Sequence, residues 1–169
     1  MQGAGLELVA CPVDVEENAP TYAGNARLKA EAAVRESGFA ALGDDTGLEV
    51  AALDGFPGLR SARVAPTQEE RDSILLGRLQ VLPRPWTARF VCVLALAVPG
   101  NGVSTYTGTV EGEVVEPRDR GRGFGYDPLF LVPELGLTFG EMDDELKQRL
   151  SHRARAVAAL RDSGALKRL

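Results

Sequence analysis

Apolar residues in this chain follow a few distinct rhythms, and each rhythm predicts an element. Thr87 to Val98 is a β-rich, nearly continuous apolar run, which predicts a central strand buried on both faces. PGNG at 99–102 then reads as a turn into a second strand that extends to about Val115. Leu75, Leu79 and Leu82 recur at the i, i+4, i+7 spacing of a helix with one core-facing stripe. Thr67 followed by Glu70 is a capping-box signature that opens this helix. Asn25 to Glu36 is alanine-rich and helix-favouring, and Gly38 is placed to stop it. Phe39 to Leu42 and Leu48 to Leu53 read as short strands on either side of a turn, GDDTG. Pro83 and Pro85 punctuate the approach to the central strand. Ser151 is placed to cap a last helix that turns Ala154, Val157 and Ala158 inward. Strands and helices are interspersed, with a hairpin near the middle of the chain. The prediction is a mixed sheet with helices packed on it, of class α/β or α+β.

Composition adds limits rather than elements. A chain of 169 residues suits one domain, 1–169, with a proper core. A net charge of −5 argues against non-specific binding to nucleic acid or an anionic membrane. A small anionic ligand is still compatible, because a few local cations can hold it. The longest apolar run, Phe90 to Pro99, is too short to cross a bilayer, and the N-terminus lacks a signal-peptide profile. Cys11 and Cys92 form no metal-ligand spacing, and a single histidine makes zinc a poor expectation. Buried thiols in a cytoplasmic protein are expected instead.

The chemistry-bearing residues are clustered. GRGFGYDP at 121–128 alternates glycine with Arg122, Phe124 and Tyr126. Glycine at that density serves close backbone approach or unusual φ values. The two aromatics offer flat faces to a planar ring and Asp127 offers an acceptor, which suits a nucleobase; a glycine-rich corner with core aromatics is the alternative. Asp44 and Asp45 suit either a solvated turn or a hard-cation site of the Mg²⁺ kind, built from one or two carboxylates and substrate phosphates. One of these acids could also activate a water for attack on phosphorus. Lys29 shares a helix face with Asn25 one turn earlier. Arg60, Ser61 and Arg63 follow a Gly-Pro-Gly turn and suit either solvent or phosphate. His152 and Arg153, beside a helix N-terminus, offer donors to an acceptor such as a ring carbonyl.

Taken in order, GNARLKAEAA, GDDTGLEV, GFPGLRSAR, GFGYDPLF and KQRLSHR resemble the inosine triphosphate pyrophosphatases, also called the Ham1 or non-canonical purine NTP pyrophosphatase family. The resemblance runs from about Leu6 to the C-terminus. It implies a two-lobed α/β fold around a long, mixed, twisted sheet with a nucleotide cleft between the lobes. It also implies a homodimer that uses Mg²⁺ to split ITP, dITP and XTP into monophosphate and pyrophosphate. By the same resemblance, Asp45 is proton acceptor and metal ligand, Asp44 its acidic neighbour at the metal, and Lys29 a catalytic lysine near the phosphates. Substrate contacts fall to Thr46, where the family usually has Ser, and to Arg63, Phe124, Gly125, Tyr126, Asp127, Lys147, His152 and Arg153.

Two departures stand beside it. Gly24 occupies a position where the family often has a Glu metal ligand, with Glu16 and Glu17 as nearby substitutes. Gly5 to Val9 resembles the family's second strand, and residues 1–20 contain no counterpart of its Thr/Ser-Gly-Asn-x-x-Lys phosphate loop. From these departures follows an alternative, a nucleotide-binding module without catalysis, and the expectation that an upstream segment would raise activity. A relative of the same fold acting on modified pyrimidine nucleotides is a third reading.

Overall fold

The computed structural model describes residues 6–118 and 123–169. Gly5 of the segment expected to match the family's second strand, and Gly121 and Arg122 of the glycine-rich run, lie outside the described residues. The central strand is where the apolar run placed it: β2 (Thr87–Val98). It pairs antiparallel with β1 (Ala41–Val50) on one side and β3 (Gly102–Val114) on the other. Two short strands, β4 (Phe130–Val132) and β5 (Leu137–Thr138), extend the sheet in the order β1-β2-β3-β4-β5. The mixed α/β class holds. The mixed sheet does not, since every strand pairing among the described residues is antiparallel.

One local expectation fails in a way that decides the site. GDDTG is not a turn but the middle of β1, paired in register from Gly43↔Ala95 to Gly47↔Val91. Asp and Gly favour turns in isolation, but the ladder to a fully buried neighbour outweighs that preference. The strand ends at Val50, and Ala51–Leu53 form a single 3₁₀ turn.

Residues on β2 alternate between two helices. Val91, Val93, Ala95 and Ala97 pack with Ala26 and Ala30 of α1 (Tyr22–Ser37). Cys92, Leu94 and Leu96 pack with Ala156 and Leu160 of α4 (His152–Asp162). At the other end of the sheet, Leu48, Val50, Phe90, Val110, Phe130 and Phe139 form a larger core. Leu75 and Leu79 of α2 (Gln68–Leu79) and Trp86 close it.

The caps explain the helix limits. Thr21 accepts the Gly24 N–H at the start of α1, and Gly38, at φ 75°, ends it. Thr67 and Glu70 complete both bonds of the predicted capping box on α2. Leu82 lies beyond that helix yet still packs on the core. Ser151 caps α4 as expected, but the buried face is His152, Ala156 and Leu160, while Val157 is exposed. Once His152 is drawn inward, the i, i+4, i+8 rows follow it. A preceding helix, α3 (Asp144–Leu150), is capped by Asp143.

Close approach of both helices depends on glycine. A Cβ at Gly43 would lie 2.1 Å from the Ala26 carbonyl oxygen, and one at Gly108 would lie 2.1 Å from that of His152. Residues 6–20 form no regular element, and Leu8 and Val9 are exposed, so Leu6 to Val9 is not the predicted strand.

Candidate active site

Successive side chains on a strand point to opposite faces, and β1 carries two adjacent aspartates. Asp45 is paired with Val93 and turns toward α1; Asp44 is paired with Leu94 and turns toward α4. The two carboxylates therefore serve different neighbourhoods.

On the α1 side, Asp45 is buried at 6 % exposure. Its Oδ2 accepts from Asn25 Nδ2 at 3.2 Å, and its Oδ1 meets Lys29 Nζ at 3.0 Å. One turn of helix separates Asn25 from Lys29, which is why both reach the same acid. The Lys29 ammonium also donates to the Asp44 carbonyl at 2.8 Å and pairs with Glu17 Oε1 at 2.8 Å. The other oxygen of Glu17 pairs with Arg63 Nη1 at 2.9 Å, and Arg63 Nη2 donates to the Leu59 carbonyl. Burial pushes the Asp45 carboxyl above its ordinary value, against the opposing pull of Lys29 and Asn25. For Lys29, burial acts to lower the value, but Glu17 and Asp45 together outweigh it and hold it raised. A lysine so placed stays charged, and a carboxylate so placed is a stronger base than one in water.

Glu17 belongs to this group, while Glu16 is exposed. The segment before α1 folds back over it: Ala19 N–H donates to Asn25 Oδ1 at 3.0 Å, and a Cβ at Gly24 would sit 2.5 Å from Ala19 Cβ. The strap covers Gly24 and delivers Glu17 to Lys29 and Arg63. The signal available in the sequence was only nearness to the helix start, because the strap has no periodicity.

On the α4 side, Asp44 accepts from Arg153 Nε at 2.9 Å and Nη2 at 3.2 Å, from Thr46 Oγ1 at 2.9 Å, and from Cys92 Sγ at 3.3 Å. Burial is the largest single influence on Asp44 and acts upward, yet the bonds from Arg153 and Thr46 leave its carboxyl below the ordinary value. Burial, reinforced by Asp44, pushes the Cys92 thiol up to about 12, so it stays protonated and inert.

The glycine-rich segment divides its two aromatics. Phe124 is 64 % exposed, with Lys147 Nζ 4.8 Å and Arg153 Cζ 5.8 Å from its ring centroid. Tyr126 is buried and donates to the Ser61 carbonyl at 3.3 Å; it holds the loop down rather than offering a face. Gly125 sits beside it at φ 60°. Asp127 is buried, accepts the Phe124 N–H at 2.7 Å and pairs with Lys147. Its acceptors shape the loop and anchor the lysine.

His152 departs furthest from expectation. It is 3 % exposed, stacks on Phe90 at 4.6 Å and on Phe139 at 6.0 Å, and neither ring nitrogen has a hydrogen-bond partner among the described residues. Burial, then the charge of Arg153, drops its value to about 4. A neutral imidazole carries one donor and one acceptor, so the expected pair of donors from a charged ring is reduced to one.

The structure thus gathers Glu17, Asn25, Lys29, Asp45 and Arg63 on one face of β1. It gathers Asp44, Thr46, Phe124, Asp127, Lys147 and Arg153 at the other, with α1 close against β1 and α4 close against β2 and β3. The sequence model of the Ham1 family matches residues 2–163. The chain belongs to the Ham1 family. It is 47 % identical over 163 residues to the dITP/XTP pyrophosphatase of Gloeobacter violaceus, covering 95 % of this chain and 83 % of that one. It is 50 % identical over 149 residues to the protein of the same name from Thermus thermophilus, covering 86 % and 72 %. Among solved structures, the Staphylococcus aureus Ham1 protein superposes with a TM-score of 0.83 at 39 % identity, over 89 % of this chain and 79 % of the other. A HAM1 protein from Coxiella burnetii gives 0.83 at 37 % identity, over 93 % and 82 %.

Proposed function

We propose that this protein is a nucleoside triphosphate pyrophosphohydrolase acting on ITP, dITP and XTP, and that it releases the monophosphate and pyrophosphate. The observation that carries the reading is Asp45: a buried carboxylate with raised basicity, fixed between Asn25 and Lys29, in a chain whose relatives are named for dITP/XTP pyrophosphatase activity. Asp45 orients a water and takes its proton as the water oxygen bonds to the α-phosphorus. The bond from that phosphorus to the bridging oxygen breaks, and pyrophosphate leaves with the electron pair. Lys29 and Arg63 offset the charge that grows on the phosphate oxygens. Phe124 stacks on the base, with Lys147 and Arg153 beside its ring and His152 behind them.

The donor set suits Mg²⁺. Glu17 and Asp45 converge on one cation, the Lys29 ammonium, at 2.8 and 3.0 Å. Among the described residues no group of three metal-binding side chains forms. That is the arrangement expected when Mg²⁺ arrives with substrate phosphates and needs only one or two carboxylates. Bound there by Glu17 and Asp45, it would supply Lewis-acid polarisation of the phosphoryl oxygens. We assign the protein to the cytoplasm, since Cys11 and Cys92 are both free thiols, and expect a homodimer, which light scattering on the purified chain would test.

The deciding experiment is pyrophosphate release from ITP, XTP, dITP and ATP with and without Mg²⁺. ITP and XTP should exceed ATP by orders of magnitude, because a site built for a ring carbonyl leaves groups unpaired against an amine. Equal rates on ATP and ITP would overturn the substrate assignment.

A further inference from the structure

We propose that Asp44 is a positioning residue for Arg153, holding its guanidinium at the Phe124 end of the site, and that Asp45 is the only acid of the pair that serves the phosphate end. The functional consequence rests on the nucleotide reading above. The geometry stands apart from it.

An ionised carboxylate offers about four acceptor directions, and Asp44 fills them all. Its Oδ1 takes Thr46 Oγ1 and Arg153 Nη2; its Oδ2 takes Arg153 Nε and Cys92 Sγ. Nothing remains for a cation. Strand alternation also turns Asp44 away from Lys29, Asn25 and Glu17. Its one link to that group is through the main chain, where the Asp44 carbonyl accepts from Lys29, a bond that a change of side chain leaves in place.

Arg153 needs such a holder. It is the second residue of α4, half-exposed, with a long side chain free to sample solvent. A two-point bond to one carboxylate fixes the plane of the guanidinium as well as its position. The fixed plane lies 5.8 Å from the exposed ring of Phe124. A base entering beside that ring meets a donor already oriented, so the ordering entropy is spent in folding rather than at binding. The two residues are 109 apart in sequence, and the bond therefore ties β1 to α4.

The test compares Asp44→Asn, Arg153→Lys and the double variant with the unaltered protein. Asp44→Asn should raise KM for ITP on the order of tenfold, with kcat changed much less, and should narrow the preference for ITP over ATP. Its half-saturating Mg²⁺ concentration should stay where it was. Arg153→Lys keeps the charge but loses the fork and should reproduce the KM effect. The double variant should be no worse than either single change, since both remove one interaction. A large rise in the Mg²⁺ requirement of Asp44→Asn, or losses that multiply in the double variant, would overturn the proposal. An arm that needs no substrate is the Arg153 Nε–H resonance, which should resist solvent exchange in the unaltered protein and lose that protection in Asp44→Asn. If the unaltered protein turns over no purine triphosphate, the pyrophosphatase reading fails and this resonance still decides the pairing. Unchanged protection in Asp44→Asn would sink it.

Discussion

A buried carboxylate between an amide and an ammonium can lose its charge without losing its shape, and Asp45→Asn makes that change. Turnover should fall by about a hundredfold or more, the range for loss of a general base or metal-binding acid. The circular dichroism spectrum should not move, since Asn can keep the bond to Lys29 through its carbonyl. Retained activity would hand the chemistry to Glu17. Phe124→Ala tests the opposite end: removing an exposed stacking face should cost about 1–3 kcal/mol, read as a higher KM at similar kcat because the base keeps its charge during reaction. An unchanged KM would make Phe124 a bystander. At both positions the sequence carried the residue type and its partners' spacing. It did not carry exposure, which separates Phe124 from Tyr126 two residues on. That difference comes from Tyr126 finding the Ser61 carbonyl across the molecule, and no local pattern encodes such a contact.

Helix and strand placement followed local rules where the rules were strong. The continuous run of β2, the stripe of α2, the stop at Gly38 and the caps Thr67 and Ser151 are all local signals, and the elements follow them. The middle of β1 does not look like a strand in the sequence, because it is made of turn-favouring residues whose strand character comes from pairing with β2. Glycines of β1 and β3 that face the helices are explained by packing, which suggests a paired measurement. Gly108→Ala would place a methyl 2.1 Å from the His152 carbonyl and 2.3 Å from the Ala156 amide. It should destabilise by about 1–3 kcal/mol, as overpacking does, and shift α4 enough to weaken ITP binding. Gly77→Ala, exposed within α2 with open space around it, should instead stabilise by about 0.5–1 kcal/mol. Urea midpoints of the two variants should move in opposite directions.

Stability of the molecule as a whole should carry the imprint of His152. Its folded value, about 4, lies below the ordinary 6.5 of an unfolded chain, so between those limits the unfolded state binds the extra proton. The contribution is complete above pH 6.5 and is lost as pH falls toward 4, amounting to about 3 kcal/mol at most. His152→Phe keeps the stack on Phe90 and removes the titration. Between pH 7.5 and 5, urea unfolding should show a larger loss for the unaltered protein than for this variant, and equal losses would place the acid sensitivity elsewhere. A further consequence concerns errors in assembly rather than the finished protein. A pair of β1 and β2 joined one residue out of step would still offer an aspartate to each helix, because the acids are adjacent. It would also turn Leu42 or Asp44 toward α1 in place of Gly43, where even a methyl lies 2.1 Å from the Ala26 carbonyl. Helix α1 can therefore seat only on the correctly paired strands, and it proofreads a slip that the acids themselves would tolerate. Pulse-labelled hydrogen exchange during refolding should find the α1 amides protected no earlier than those of β1 and β2. Early protection of a docked α1 would show that the helix does not wait for the strands.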